Sequence, residues 1–141
     1  MPIRGGKPLR HRACAALIEN GRILMVRLET NDRSFWTLPG GGLEENETFE
    51  QSVVREVREE ANLKVRVIRP LYTKIDSSGK EVCFLVERVD TTIPLLGYDP
   101  ERPINQQVLS EIDWHPLTER KDDVQVSKVL AALKNTPSLL L

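Results

Sequence analysis

Cysteine is scarce in this 141-residue chain: there are two, Cys14 and Cys83, both inside apolar stretches that suit β-strands. Two thiols without metal-ligand spacing exclude a disulfide framework and a cysteine zinc site, and leave two small buried hydrophobes. Long hydrophobic runs are also missing. The longest, such as Ala13 to Ile18, fall far short of the roughly 20 residues that a membrane-spanning helix needs. Met1 to Arg12 lacks the apolar core of a secretory signal, so the expected location is cytoplasmic and no membrane partner is expected. Nor is there an excess of charge: 20 basic residues face 21 acidic ones, for a formal net charge of -1. No global field therefore draws the chain to bulk nucleic acid or to an anionic surface. The two histidines, His11 and His115, have no partners at metal-ligand spacing and read as surface or strand-end residues.

What remains is a globular balance, 40% hydrophobic and 29% charged. The length suits one domain over residues 1–141, with 1–10 as a flexible N-terminus and 136–141 as a tail. Arg12 to Glu19 and Arg22 to Leu28 are β-compatible runs around Asn20-Gly21, the dipeptide that best tolerates a tight hairpin turn. Phe35 to Leu38 predicts a short strand entering Pro39-Gly40-Gly41-Gly42, a stretch read as a glycine loop. Thr48 and Gln51 form a capping box that opens a helix ending at Ala61, with Asn62 suited to a left-handed C-terminal position. Leu63 to Ile75 and Glu81 to Val89 predict an antiparallel pair around the turn Asp76-Ser77-Ser78-Gly79. Asp90 to Asn105 is the longest loop and a candidate substrate lid. Gln107 to Trp114 predicts a last strand, and Asp122 to Lys134 a closing helix. The pattern is β-rich with two main helices, an α+β or layered arrangement.

One segment breaks the charge balance. Glu44, Glu45, Glu47, Glu50, Glu56, Glu59 and Glu60 face only Arg55 and Arg58, for a local net charge of -5. Turning the helix by about 100° per residue from Phe49 puts Glu59 near 280°, Glu56 near 340° and Glu60 near 20°. These three carboxylates therefore border the apolar stripe of Phe49, Val53, Val57 and Ala61. Left bare at a buried edge they would repel one another; together they make the oxygen-rich site that Mg²⁺ prefers. Arg55, four residues before Glu59, is placed to pair with it and hold its carboxylate. A solvated acidic face with a surface ion pair is the competing reading for an isolated E-x-x-E-E; the preceding glycine loop argues against it.

From Gly41 the chain runs through five residues to Glu47, through seven more to Arg55, and on through Glu56, Glu59, Glu60 and Asn62 to Leu63. This closely resembles the Nudix box, G-x5-E-x7-R-E-U-x-E-E-x-G-U with U bulky and aliphatic, over 23 residues with one departure, Asn62 for the last glycine. Asparagine tolerates the left-handed conformation, so the departure is expected to cost some stability and little activity. The resemblance extends more loosely over residues 10–135 and implies the Nudix fold, an α/β/α sandwich with a mixed β-sheet between helices. It implies Glu56, Glu59, Glu60 and the Gly40 carbonyl as metal ligands, Arg55 as the residue orienting a carboxylate, and Glu47 as accessory. Mg²⁺ is the implied cofactor, with Mn²⁺ as a substitute.

Glu56 and Glu111, the latter on the last strand, both stand as candidates for the general base beside Glu59 and Arg55. Arg27 occupies a place where Nudix proteins often put a phosphate-binding arginine. Among the few aromatics, Tyr98 in the long loop is the better candidate for stacking on a nucleobase than Phe35 or Trp36. The implied activity is hydrolysis of the pyrophosphate bond in a nucleoside diphosphate linked to another moiety: ADP-ribose or a nucleotide sugar, a nucleoside triphosphate, or a dinucleoside polyphosphate. A non-catalytic nucleotide-binding regulatory module is the alternative, and would be expected to have lost box carboxylates. The implied partner is a small nucleotide, and a homodimer is the assembly to test.

Overall fold

Asn20 and Gly21 have φ angles of 54° and 75°, and this left-handed pair joins β1 (Arg12–Glu19) to β2 (Arg22–Glu29) in a tight hairpin. The computed structural model describes residues 9–97, 100 and 108–134. Tyr98, most of the second half of the expected lid and the 136–141 tail lie outside the described residues. After the hairpin come β3 (Ser34–Thr37), β4 (Gly40–Gly42), α1 (Phe49–Ala61), β5 (Val65–Asp76), β6 (Gly79–Arg88), β7 (Leu109–Pro116) and α2 (Val124–Ala132). A 3-10 turn, Leu117–Glu119, precedes α2, whose N-terminus is capped by the Asp123 carboxylate accepting from the backbone of Gln125 and Val126.

The strands form one mixed sheet. Its main order is β3-β2-β1-β6-β5, with β4 beside β1 and β7 beside β2. β1 and β6 run parallel, and the other pairs are antiparallel. Both central strands are covered on both faces. Ala13, Ala15 and Leu17 of β1, with Val82, Phe84 and Val86 of β6, pack against Val53, Val57 and Ala61 of α1. Cys14, Ala16 and Ile18, with Cys83 and Leu85, pack on the other side against Val126 and Val129 of α2 and Leu133. Burial on both faces explains why Ala13 to Ile18 reads as a continuous apolar run rather than an alternating one. Each fully buried Val or Leu in these layers contributes about 1.5–3 kcal/mol.

The structure corrects one element. The glycine run expected as a loop is a short strand, with Ala13 opposite Gly41 and Cys14 opposite Gly40. A Cβ on Gly40 would collide with the Ala13 carbonyl and the Cys14 side chain, so glycine lets the two backbones approach closely. Strand propensity gives no warning of this, because glycine offers no side chain to the pattern. No described helix is long and apolar enough to cross a membrane.

Candidate active site

α1 is set in place at both ends. Thr48 Oγ1 accepts from Gln51 N at 3.0 Å while Gln51 Oε1 accepts from Thr48 N at 2.9 Å, closing the capping box. At the other end Asn62 adopts φ 56°, ψ 35°, and its N–H donates to the Arg58 carbonyl. With Val53, Val57 and Ala61 buried against the sheet, the helix presents Glu56, Glu59 and Glu60 at the edge next to β4.

Arg55 is the centre of this edge. Its Nε donates to Glu47 Oε2 at 2.7 Å and one terminal nitrogen to Glu47 Oε1 at 2.9 Å, a two-point grip. The same terminal nitrogen donates to the Gly42 carbonyl at 3.1 Å. The other reaches Glu56 Oε1 and Glu59 Oε1, each at 2.9 Å. Glu47 completes the loop by accepting from Glu44 N at 2.9 Å. Glu60 turns elsewhere, accepting from Gly40 N at 3.0 Å. The hydrogen bond from Arg55 holds the Glu47 carboxyl below the usual carboxylate range, and that pairing, reinforced by Glu59 and Glu56, raises the Arg55 guanidinium above its already high value. Both groups stay charged at neutral pH.

Gly41 faces the Glu56 carboxylate so closely that a Cβ there would lie 2.6 Å from it. The carboxylate thus fills the space that a side chain at 41 would take. Glu44, Glu45, Glu47, Glu56, Glu59 and Glu60 line one cavity of about 680 Å³ with the Gly40–Gly42 backbone. Its other wall holds Val26, Leu28, Leu38, Val108 and Leu109, with Leu9, Arg10, His11 and Arg12 at the rim. Leu9 and Arg10, placed in the flexible N-terminus by the sequence reading, are part of this wall, and Arg10 N donates to Ser78 O at 2.7 Å. Patterning missed this wall because it assembles from β1, β2 and the approach to β7, which no local signal brings together.

Among the described residues no three acidic, histidine or cysteine side chains converge closely enough to hold a metal ion. Glu56, Glu59 and Glu60 share the cavity without closing into a ligand set, because Arg55 draws the first two and the Gly40 N–H draws the third. The donor set still fits a hard divalent cation: it is oxygen only, and Gly41 leaves the Glu56 carboxylate unobstructed.

The other site candidates sit apart. Arg27 and Glu111 are opposite one another on β2 and β7 and form an ion pair at 2.6 Å, with Arg27 also donating to Ser34 Oγ at 2.6 Å. Val26 and Leu28 line the cavity, so strand alternation puts Arg27 on the opposite face, and neither it nor Glu111 is among the lining residues. Trp36 packs at 4.4 Å from His115 on that same far side, and burial holds the His115 imidazole below its ordinary pKa.

Residues 9–133 match the family described as the NUDIX domain. The chain belongs to the Nudix family. An 8-oxo-dGTP diphosphatase of Proteus vulgaris is 30% identical to this Nudix chain over 105 residues, covering 73% of it and 74% of the relative. A MutT-like protein of Streptomyces ambofaciens is 44% identical over 62 residues, covering 43% of this chain and 39% of the relative, so that match spans well under half of the Streptomyces protein. Among solved structures, an ADP-ribose pyrophosphatase of Streptococcus suis superimposes with a TM-score of 0.65 at 21% identity, over 92% of each chain, a likeness of fold. The mixed sheet between two helices is the Nudix fold.

Proposed function

We propose that this Nudix protein is a Mg²⁺-dependent hydrolase that cleaves the pyrophosphate bond of a nucleoside diphosphate linked to another group. The observation that carries the reading is the Arg55 hub, which gathers Glu47, Glu56 and Glu59 at one end of a cavity whose other wall is apolar. Glu56, Glu59 and Glu60 would hold the cation with help from the Gly40 carbonyl. Bound there, Mg²⁺ supplies charge neutralisation at the bridging phosphates and acidifies water.

The protein's own residues supply the rest. Glu56 Oε accepts the proton of the attacking water, Arg55 keeps that carboxylate and Glu59 in place, and Glu47 anchors Arg55. Leu9, Leu28 and Val108, the lining apolar residues that keep exposed surface, offer an apolar face to a base, while Arg10 and Arg12 at the rim offer cations to a phosphate. The volume of about 680 Å³ suits a ligand of mononucleotide size, and the relative named for 8-oxo-dGTP supports testing triphosphates first.

The test is incubation with nucleoside triphosphates, nucleotide sugars, ADP-ribose and dinucleoside polyphosphates, with Mg²⁺ or with chelator, and chromatography of the products. Chelator-sensitive release of a nucleoside monophosphate is the expected result. Tight binding without cleavage across the panel would assign the non-catalytic nucleotide-binding module instead.

A further inference from the structure

The last four carbonyls of an α-helix have no partner within it, and in α1 these belong to Arg58, Glu59, Glu60 and Ala61. Asn62 N satisfies the Arg58 carbonyl. Two more are satisfied from far along the chain: Gly97 N donates to Glu60 O at 2.8 Å and Leu95 N to Ala61 O at 2.9 Å. Gly97 itself lies against the Glu59 carbonyl, and a Cβ on it would collide with that oxygen and come within 2.8 Å of the Glu59 carbonyl carbon. Its φ is not in the left-handed region, so space rather than torsion demands glycine here. The side chains of this loop do little to hold it, since Ile93, Leu95 and Leu96 are 72%, 59% and 40% exposed. The loop is fastened by its backbone, and it is fastened to the turn that carries Glu59 and Glu60.

From this geometry we infer that Gly97 is a positioning residue for the Glu59 and Glu60 carboxylates. By fitting against the Glu59 carbonyl without a side chain, it lets the 93–97 loop clamp the final turn of α1 and hold both carboxylates toward β4. The inference rests on the reading of Glu59 and Glu60 as cation ligands. A side chain at 97 lifts the loop, frees the Glu60 and Ala61 carbonyls, and lets the ligand-bearing turn fray.

The experiment uses the full chain and Mn²⁺ as probe, followed by the electron paramagnetic resonance of the free ion. Gly97→Ala should weaken Mn²⁺ binding about tenfold, as loss of a supporting partner of a metal ligand does. It should raise the Mg²⁺ concentration for half-maximal hydrolysis by the same factor, with kcat restored at saturating Mg²⁺. Leu96→Ala, which leaves the backbone bonds intact, should bind Mn²⁺ as the parent does. A Gly97→Ala protein with lower Tm but parental Mn²⁺ affinity overturns the inference and leaves the ligand assignment standing. A parent protein that binds no Mn²⁺ overturns both. Should Gly97→Ala fail to fold, the parent decides: Leu95 and Gly97 amides that exchange more slowly on adding Mg²⁺ support the coupling, and unchanged exchange overturns it.

Discussion

Glu47 and Arg55 meet through two hydrogen bonds, 2.7 Å and 2.9 Å long, although one precedes the first turn of α1 and the other lies in its middle. Glu47 is thereby the anchor of the arginine that holds Glu56 and Glu59. Arg55 also sets the electrostatic state of Glu47, keeping its carboxyl ionised below the usual range. A carboxylate lowered in the folded state contributes stability that is fully present above its unfolded pKa and is lost as the pH falls through the folded one. Melting temperature followed downward from about pH 5 should therefore fall more steeply for the parent than for Glu47→Gln. Parallel curves would show that this pair does not drive the acid response.

Glu59→Gln and Glu60→Gln each remove one charge from the cavity edge with little change in shape. At saturating Mg²⁺ each should lower turnover by at least about 100-fold, the upper end of what loss of even a supporting residue costs a metal site. Circular dichroism and Tm should report an intact fold. Variants as active as the parent would sink the assignment of these two residues.

Asn62 holds a left-handed φ of 56°, a conformation that glycine adopts without steric cost. Asn62→Gly should leave turnover near that of the parent and stability within about 1 kcal/mol, on the stabilising side. A collapse in turnover, measured alongside denaturant unfolding, would reveal a role for the asparagine side chain beyond ending the helix.

Glu111 is half exposed and paired with Arg27, an arrangement worth about 0–1 kcal/mol. Glu111→Gln should therefore be mild in both stability and kcat, whereas Glu56→Gln should be severe in kcat. Comparing the pH–rate profiles of the two variants checks this; the reverse ranking would make Glu111 the general base.

The legible parts of this molecule are the local ones. The Asn20-Gly21 turn, the Thr48/Gln51 box and the Asn62 cap each depend on neighbours within four residues, and the residue types alone carry the signal. The three carboxylates on one helix edge follow from the period of α1. The parallel pairing of β1 with β6, the strand made by Gly40–Gly42 and the cross-strand meeting of Arg27 with Glu111 depend on partners distant in sequence. Register between such partners is not written in either strand alone. Arg55 illustrates the boundary. Its pairing with Glu59 is one helical turn and could be read, but its two-point grip on Glu47 and its bond to the Gly42 carbonyl required the loop to be folded back.

The attachment of Leu95 and Gly97 to the end of α1 bears on what the acidic helix is as a piece of chain. During synthesis the helix and all its glutamates are made before β5, β6 and residues 93–97 exist to finish its last turn. A peptide cut to Gly41–Leu63 would have every side chain of the motif and none of the β1 ladder or the late backbone donors. The motif is therefore not a portable cassette: transplanted into another scaffold, it would need a host that supplies a strand beside its glycines and a loop returning across its final carbonyls.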